Sequence, residues 1–93
     1  MRKRLILKIY GLVQGVNFRY FTSLYAQKLG ITGFIKNNDD GTVTVNAEGE
    51  EKNLHKLLNF CYNGVKHAKV DSIDVSWLEN SDEFSSFNIL YDY

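Results

Sequence analysis

The chain has 93 residues, 44% of them hydrophobic and 24% charged, the size and mix of one soluble domain built on a single core. Lys plus Arg and Asp plus Glu balance at 11 each, which argues against a protein whose main task is gripping duplex nucleic acid. Cys61 is the only cysteine, so no internal disulfide forms and a cysteine-based metal site is not expected.

Leu5 to Tyr10 is a short apolar run with β-branched members and reads as a strand. The loop GLVQGVN follows. From Phe18 to Leu29, the residues Phe21, Leu24, Tyr25 and Leu29 fall at helical spacing, and Gly30 stands where a helix-ending glycine belongs. Ile31 to Asn37 is strand-like, with Ile31, Gly33 and Ile35 on one face and Phe34 on the other. The cluster NNDDG reads as a hairpin turn, with Asp40-Gly41 its strongest signal. Thr42 to Glu48 alternates, with Val43, Val45 and Ala47 facing one way, and Gly49 is expected to break that strand. Leu54, Leu57, Leu58 and Cys61 then mark an amphipathic helix from Glu50 to Asn63. Its first turn carries Glu50 and Glu51 at the positive end of the helix dipole. Val70 to Leu78 alternates again, with Ile73, Val75 and Trp77 on one face. ENSDE is a polar turn, and Phe87 to Tyr91 makes a last short strand.

The order is βαββαβ plus a short C-terminal strand. Right-handed crossovers fold it into an antiparallel sheet with two helices on one face, a ferredoxin-like α+β sandwich. That architecture hosts many functions, so the function must be argued from a site. The opening MRKRLILKIY has a basic cluster, but Lys8 cuts its apolar stretch too short for a secretory signal. No apolar run reaches the length of a membrane span. A cytoplasmic protein is expected.

Three segments could carry chemistry. The loop from Gly11 to Asn17 leaves a strand and enters a helix, where free backbone amides and the helix dipole favour an anion. It is neither a P-loop nor a dinucleotide fingerprint, since it lacks the GK[ST] ending and the GxGxxG spacing. An ordinary strand-to-helix connection remains the alternative. Arg19 stands at the wrong end of a helix dipole for stability. A planar guanidinium beside such a loop suits bidentate capture of a phosphoryl group; the alternative is a surface arginine paired with a carboxylate such as Glu48. Asn37 and Asn38 open the hairpin, where asparagine is favoured by turn chemistry alone. Either could also aim a water without acting as a base, and composition does not choose between them. His55 and His67 show no metal-ligand spacing. Asp39-Asp40 reads as a solvated pair, Cys61 as core, and Tyr20, Tyr25 and Tyr62 as core or rim.

The stretch GLVQGVNFR, residues 11 to 19, resembles the first signature of the acylphosphatase family, G-x-V-Q-G-V-x-F-R. GFIKNNDDGTVTVNAEG, residues 33 to 49, resembles the second, G-aromatic-x-K/R-N-x-x-x-G-x-V with a glycine six residues after the Val. The FNI of residues 87 to 89 looks like the family's closing strand, so the resemblance spans residues 1–93 as a single acylphosphatase-like domain. It departs from many members at Leu12, where Arg or Lys is common, from some at Leu90, where a basic residue is found, at Asn17, where a small or apolar residue is common, and at Ile35, slightly larger than the usual occupant.

The resemblance implies the ferredoxin-like fold and hydrolysis of acyl phosphates to a carboxylate and inorganic phosphate. It implies no cofactor, no metal and no covalent intermediate. By motif position, Arg19 is the phosphate-binding arginine and Asn37 the residue that orients the attacking water. The amides of Gln14, Gly15, Val16, Asn17 and Phe18 form the phosphate cradle. The expected partners are a small-molecule acyl phosphate and its phosphate product, with no nucleic acid, no membrane and a monomeric state. Two other readings stand beside this one. An RNA-recognition domain shares the βαββαβ order, but TVTVNAE lacks the third-strand aromatics it needs. A non-catalytic or regulatory module of the same fold would bind phosphate or carbamoyl phosphate, as in the acylphosphatase-like part of hydrogenase-maturation proteins.

Overall fold

The computed structural model describes residues 1–91. They form β1 (Arg2–Leu12), α1 (Phe18–Lys28), β2 (Thr32–Asn37), β3 (Val43–Glu50), α2 (Glu51–Asn63), β4 (Lys69–Glu79) and β5 (Phe87–Leu90). The five strands make one sheet in the order β4-β1-β3-β2-β5. β1 to β4 pair antiparallel throughout, as the βαββαβ order predicts. β5 adds to the free edge of β2 and runs parallel to it, so the complete sheet is mixed. Alternation within four residues gives no sign of that direction, because it reports a face and not a partner.

Register builds the core. Leu5, Leu7 and Ile9 stand opposite Ala47, Val45 and Val43, Val45 stands opposite Ile35, and Gly33 and Ile35 stand opposite Phe87 and Ile89. Leu54, Leu57 and Cys61 of α2 close over this row, fully buried as the periodicity predicts. Each aliphatic side chain so buried contributes roughly 1.5–3 kcal/mol. Burial pushes the Cys61 thiol up to about 12, so it stays neutral at physiological pH. Ile73, Val75 and Trp77 share the helix-side face, opposite Ile9, Leu7 and Leu5. β4 is an edge strand, however, and Val75 and Trp77 stay partly exposed, the indole beside the His55 ring at 4.8 Å.

Two expectations are corrected. The buried stripe of α1 is Phe18, Thr22, Ser23 and Ala26, while Phe21 and Leu24 lie 43% and 45% exposed. α1 packs on β2 and β5, whose Ile35 and Phe87 are large and fully buried, so small residues let the helix approach. Hydropathy alone weighs polarity and misses size. Tyr25 and Leu29 are half-buried, and the Tyr25 ring stacks on Phe60 of α2 at 4.4 Å. The second correction is Gly49, which does not break β3: the strand runs on to Glu50, and Gly49 pairs with Lys3. A Cβ at Gly49 would press to 3.2 Å against the Ile31 side chain, so this glycine serves packing. α2 accordingly starts at Glu51, with Glu50 as its extended N-cap.

The end of α1 is as the sequence implies. The Gly30 N–H donates to the Gln27 carbonyl and the Ile31 N–H to the Ala26 carbonyl, a Schellman closure with Gly30 at φ +70°. On the opposite face of the sheet the 80–86 loop crosses over Glu48, whose side chain is completely buried. The Ser81 N–H and hydroxyl donate to Glu48 Oε2 at 2.6 and 2.8 Å. Burial opposes ionisation of this carboxyl, but the two Ser81 donors and Arg4 outweigh it and hold it below the usual glutamate value. Phe84 of the same loop meets Phe34 edge-on at 5.9 Å, with the Arg4 guanidinium 5.6 Å from its ring.

Candidate functional site

β1 carries the chain to Leu12, and α1 begins at Phe18. Two residues of the intervening loop adopt left-handed conformations, Gly15 at φ +77° and Asn17 at φ +62°. Asn17 is the N-cap of α1, yet its side chain makes no capping hydrogen bond. Asparagine tolerates this conformation better than most residues, which explains its presence at a position where the resemblance favours a small or apolar residue. The first intrahelical bond runs from the Phe21 N–H to the Asn17 carbonyl at 3.1 Å. Among the described residues, the amides from Gln14 to Tyr20 find no backbone carbonyl. Unfilled amides at a helix start form an anion site.

A concave pocket of about 260 Å³ opens against this loop, lined by Val13, Gly15, Asn17, Phe18, Arg19, Tyr20, Asn37, Ile89 and Tyr91. Of the residues predicted from sequence, Gly15, Asn17, Phe18, Arg19 and Asn37 meet here. Gln14 and Val16 do not line it. The Val16 side chain packs on the core, and the Gln14 carboxamide turns to the β2–β3 turn, donating to the Asn38 and Thr42 carbonyls at 2.9 Å each.

Arg19 makes no ion pair among the described residues, and the carboxylate of Glu48 is taken by Arg4 instead. Its Nη1 donates to the Leu90 carbonyl of β5 at 3.3 Å, and its guanidinium lies 5.0 Å from the Tyr91 ring centre. Asn37 is the last residue of β2. Its Oδ1 is buried and has no hydrogen-bond partner among the described residues, an arrangement that costs about 1–3 kcal/mol unless another group uses it. Asn38 is a different kind of residue. Its Nδ2 donates to the Thr42 and Thr44 hydroxyls at 2.9 and 2.8 Å, so its side chain is committed to the turn.

The acidic pair also divides. Asp39 is exposed, whereas Asp40 accepts from the Thr42 hydroxyl at 2.5 Å and the Thr42 N–H at 3.0 Å, and pairs with Lys8 at 3.2 Å. The Thr42 hydroxyl first, then its amide and Lys8, hold the Asp40 carboxyl down at about 2, and Asp40 in turn raises Lys8. Sequence reasoning assigned no site role to Val13, Ile89 or Tyr91, and read Tyr20 as core or rim. Only the topology that lays β5 beside β2 brings Ile89 and Tyr91 to the pocket.

The acylphosphatase profile matches residues 5–89, nearly the whole chain. The chain belongs to the acylphosphatase family. An acylphosphatase of Clostridium acetobutylicum is 43% identical over 91 residues, covering 98% of this chain and all of that one. The crystal structure of acylphosphatase from Bacillus subtilis superposes with a TM-score of 0.91 at 36% identity, covering 98% of this chain and 100% of that one. The acylphosphatase fold also occurs inside a larger protein. The crystal structure of full-length HypF in the phosphate- and nucleotide-bound form matches 99% of this chain with a TM-score of 0.87 and 30% identity, over 12% of its own length. Among the described residues of this family member, no three His, Cys, Asp or Glu side chains gather as a metal ion would require, and no helix is long and apolar enough to cross a membrane.

Proposed function

We propose that the chain is an acylphosphatase acting by direct attack of water on phosphorus. The phosphoryl group docks against the amides of the loop before α1, where Gly15, Asn17 and Phe18 line the pocket, with the Arg19 guanidinium on its equatorial oxygens. Asn37 holds the attacking water in line with the bond to the acyl oxygen. The water oxygen bonds to phosphorus, the P–O bond to the acyl group breaks with its electron pair leaving on the carboxylate, and the water's proton passes to a phosphoryl oxygen. The carboxylate leaves well without a general acid. Arg19 and the amides supply positive potential, so the proposed step uses no metal. Catalysis is then positioning and electrostatic stabilisation of the transferring group.

The observation that carries this reading is that Arg19, Asn37 and loop residues whose amides find no backbone carbonyl among the described residues line one pocket. The test is hydrolysis of benzoyl phosphate in 18O-labelled water with a chelator present. Label in the inorganic phosphate supports attack at phosphorus. Label in benzoate, or loss of turnover with the chelator, overturns the mechanism. The likeness to part of HypF favours a second reading, a non-catalytic phosphate- or carbamoyl-phosphate-binding module. Phosphate binding without any acyl phosphate hydrolysis would select it.

A further inference from the structure

The side chain of Gln14 faces away from the pocket and bridges the two halves of the site. Its Nε2 donates one proton to the Asn38 carbonyl and the other to the Thr42 carbonyl, both at 2.9 Å. These are the residues that close the β2–β3 turn, since the Asn38 N–H also donates to the Thr42 carbonyl at 2.8 Å. The Asn38 carbonyl accepts a further bond from the Gly41 N–H at 3.2 Å. Both acceptors are thereby saturated, and both carboxamide protons are used.

Among the described residues, the backbone offers no other tie at this place. The ladder between β1 and β3 ends at Ile9 opposite Val43, and beyond it β1 pairs only with β4. The ladder between β2 and β3 ends at Asn37 opposite Val43. Past that point the loop of residues 13–17 and the turn of residues 38–42 are separate excursions. Among the described residues, Gln14 makes the only side-chain hydrogen bonds between them. Gln14 precedes Gly15 of the pocket, and Asn38 follows Asn37, so the bridge fixes the gap between the anion loop and the water-holding asparagine.

We infer that Gln14 is a positioning residue that sets the distance between the phosphoryl group and the attacking water. The inference rests on the proposed reaction. In-line attack punishes a displacement of about 1 Å by roughly 100-fold in rate, whereas phosphate affinity depends on Arg19 and the amides and not on where Asn37 stands. Among neutral and acidic residues of its length, glutamine meets the demand here. Glutamate has its length but presents no donor pair to two carbonyls, methionine has its shape without any donor, and asparagine is one methylene short.

The experiment measures benzoyl phosphate hydrolysis and inhibition by inorganic phosphate for Gln14→Met and Gln14→Glu, each also in the Asn37→Ala background. The expected result is a fall in kcat on the order of 100-fold for Gln14→Met, at least as large for Gln14→Glu, with the phosphate inhibition constant held. In the Asn37→Ala background, Gln14→Met should cost nothing more, because the group being positioned is gone. Unchanged kcat overturns the inference. So does phosphate affinity falling in step with kcat, which would make Gln14 a builder of the anion loop, and so does a full multiplicative loss in the double variant. A measurement on the unaltered protein keeps the test independent of folding. Both Gln14 carboxamide protons should exchange slowly by NMR, and rapid exchange of either overturns the bridge. Absence of turnover in the unaltered protein would instead sink the proposed reaction, with the exchange result still reporting on the bridge.

Discussion

Arg4 Nε lies 3.9 Å from Oε2 of Glu48, so the fully buried carboxylate of the sheet is matched by an arginine of β1. Arg4 also meets Glu83 of the loop that buries Glu48. This pairing leaves Arg19 without a carboxylate among the described residues and turned to the pocket. The two arginines therefore differ: Arg4 neutralises a buried charge of the fold, whereas Arg19 lines the pocket with no ion pair among the described residues.

Arg19→Ala should abolish protection by inorganic phosphate in thermal unfolding and lower benzoyl phosphate turnover by about 3–4 kcal/mol of transition-state stabilisation, by analogy with loss of an oxyanion donor. Arg19→Lys should recover little, because a point charge does not reproduce a planar fork. Calorimetric titration with phosphate checks the binding arm. A variant that binds phosphate as the parent does would remove Arg19 from the anion site.

Asn37→Ala separates binding from chemistry. It should keep phosphate affinity while losing turnover by a similar 3–4 kcal/mol. It should not destabilise the fold, since Oδ1 makes no hydrogen bond to lose among the described residues. Denaturant unfolding and steady-state kinetics on the same preparation check both halves. Near-parental hydrolysis in the folded variant would end the water-orienting role.

Asp40 predicts an acid limit. Its carboxyl is held at about 2, below the ordinary 3.8, so the folded state binds that proton more weakly than the unfolded chain. The stabilisation is present above the ordinary value and is lost as pH falls towards 2. Asp40→Asn should therefore be less stable than the parent at neutral pH, with the gap closing between about pH 4 and pH 2. Urea midpoints at several pH values measure it, and a gap that persisted unchanged to the lowest pH would refute the assignment.

Glu48→Ala should cost roughly 1–3 kcal/mol, the usual effect of leaving a buried donor without its acceptor. It takes the acceptor from the Ser81 N–H, while Arg4 and the Ser81 hydroxyl keep Glu83. Glu48→Gln keeps the shape and should cost less. Equilibrium unfolding resolves the two, and equal loss for both would mean that charge, not donor satisfaction, governs the site.

The fold was largely readable because alternation of Val43, Val45 and Ala47 and the heptad-like spacing of Leu54, Leu57 and Cys61 are direct consequences of strand and helix geometry. α1 was misread because Thr22 and Ala26 win their buried places by being small, a property invisible to hydropathy. Arg19 could be suspected from its chemistry and its place at a helix start. Asn37 was separable from Asn38 only through the motif, and the structure gives a physical difference in the Asn38 side chain's bonds to Thr42 and Thr44. The Gln14 bridge was not readable, because a side chain's partner across the fold leaves no local periodic trace.

The central strand has a consequence for how the molecule comes together. Leu5 of β1 sits between Ala47 of β3 and Trp77 of β4. Neither neighbour is close in sequence, so β1 cannot settle until distant parts of the chain have been brought to it, and such non-local closure slows folding. The loop that follows β1 inherits this delay. The proposed anion site cannot pre-form as an isolated peptide; if it binds phosphate, a phosphate ion added during refolding should stabilise the product without hastening its nucleus.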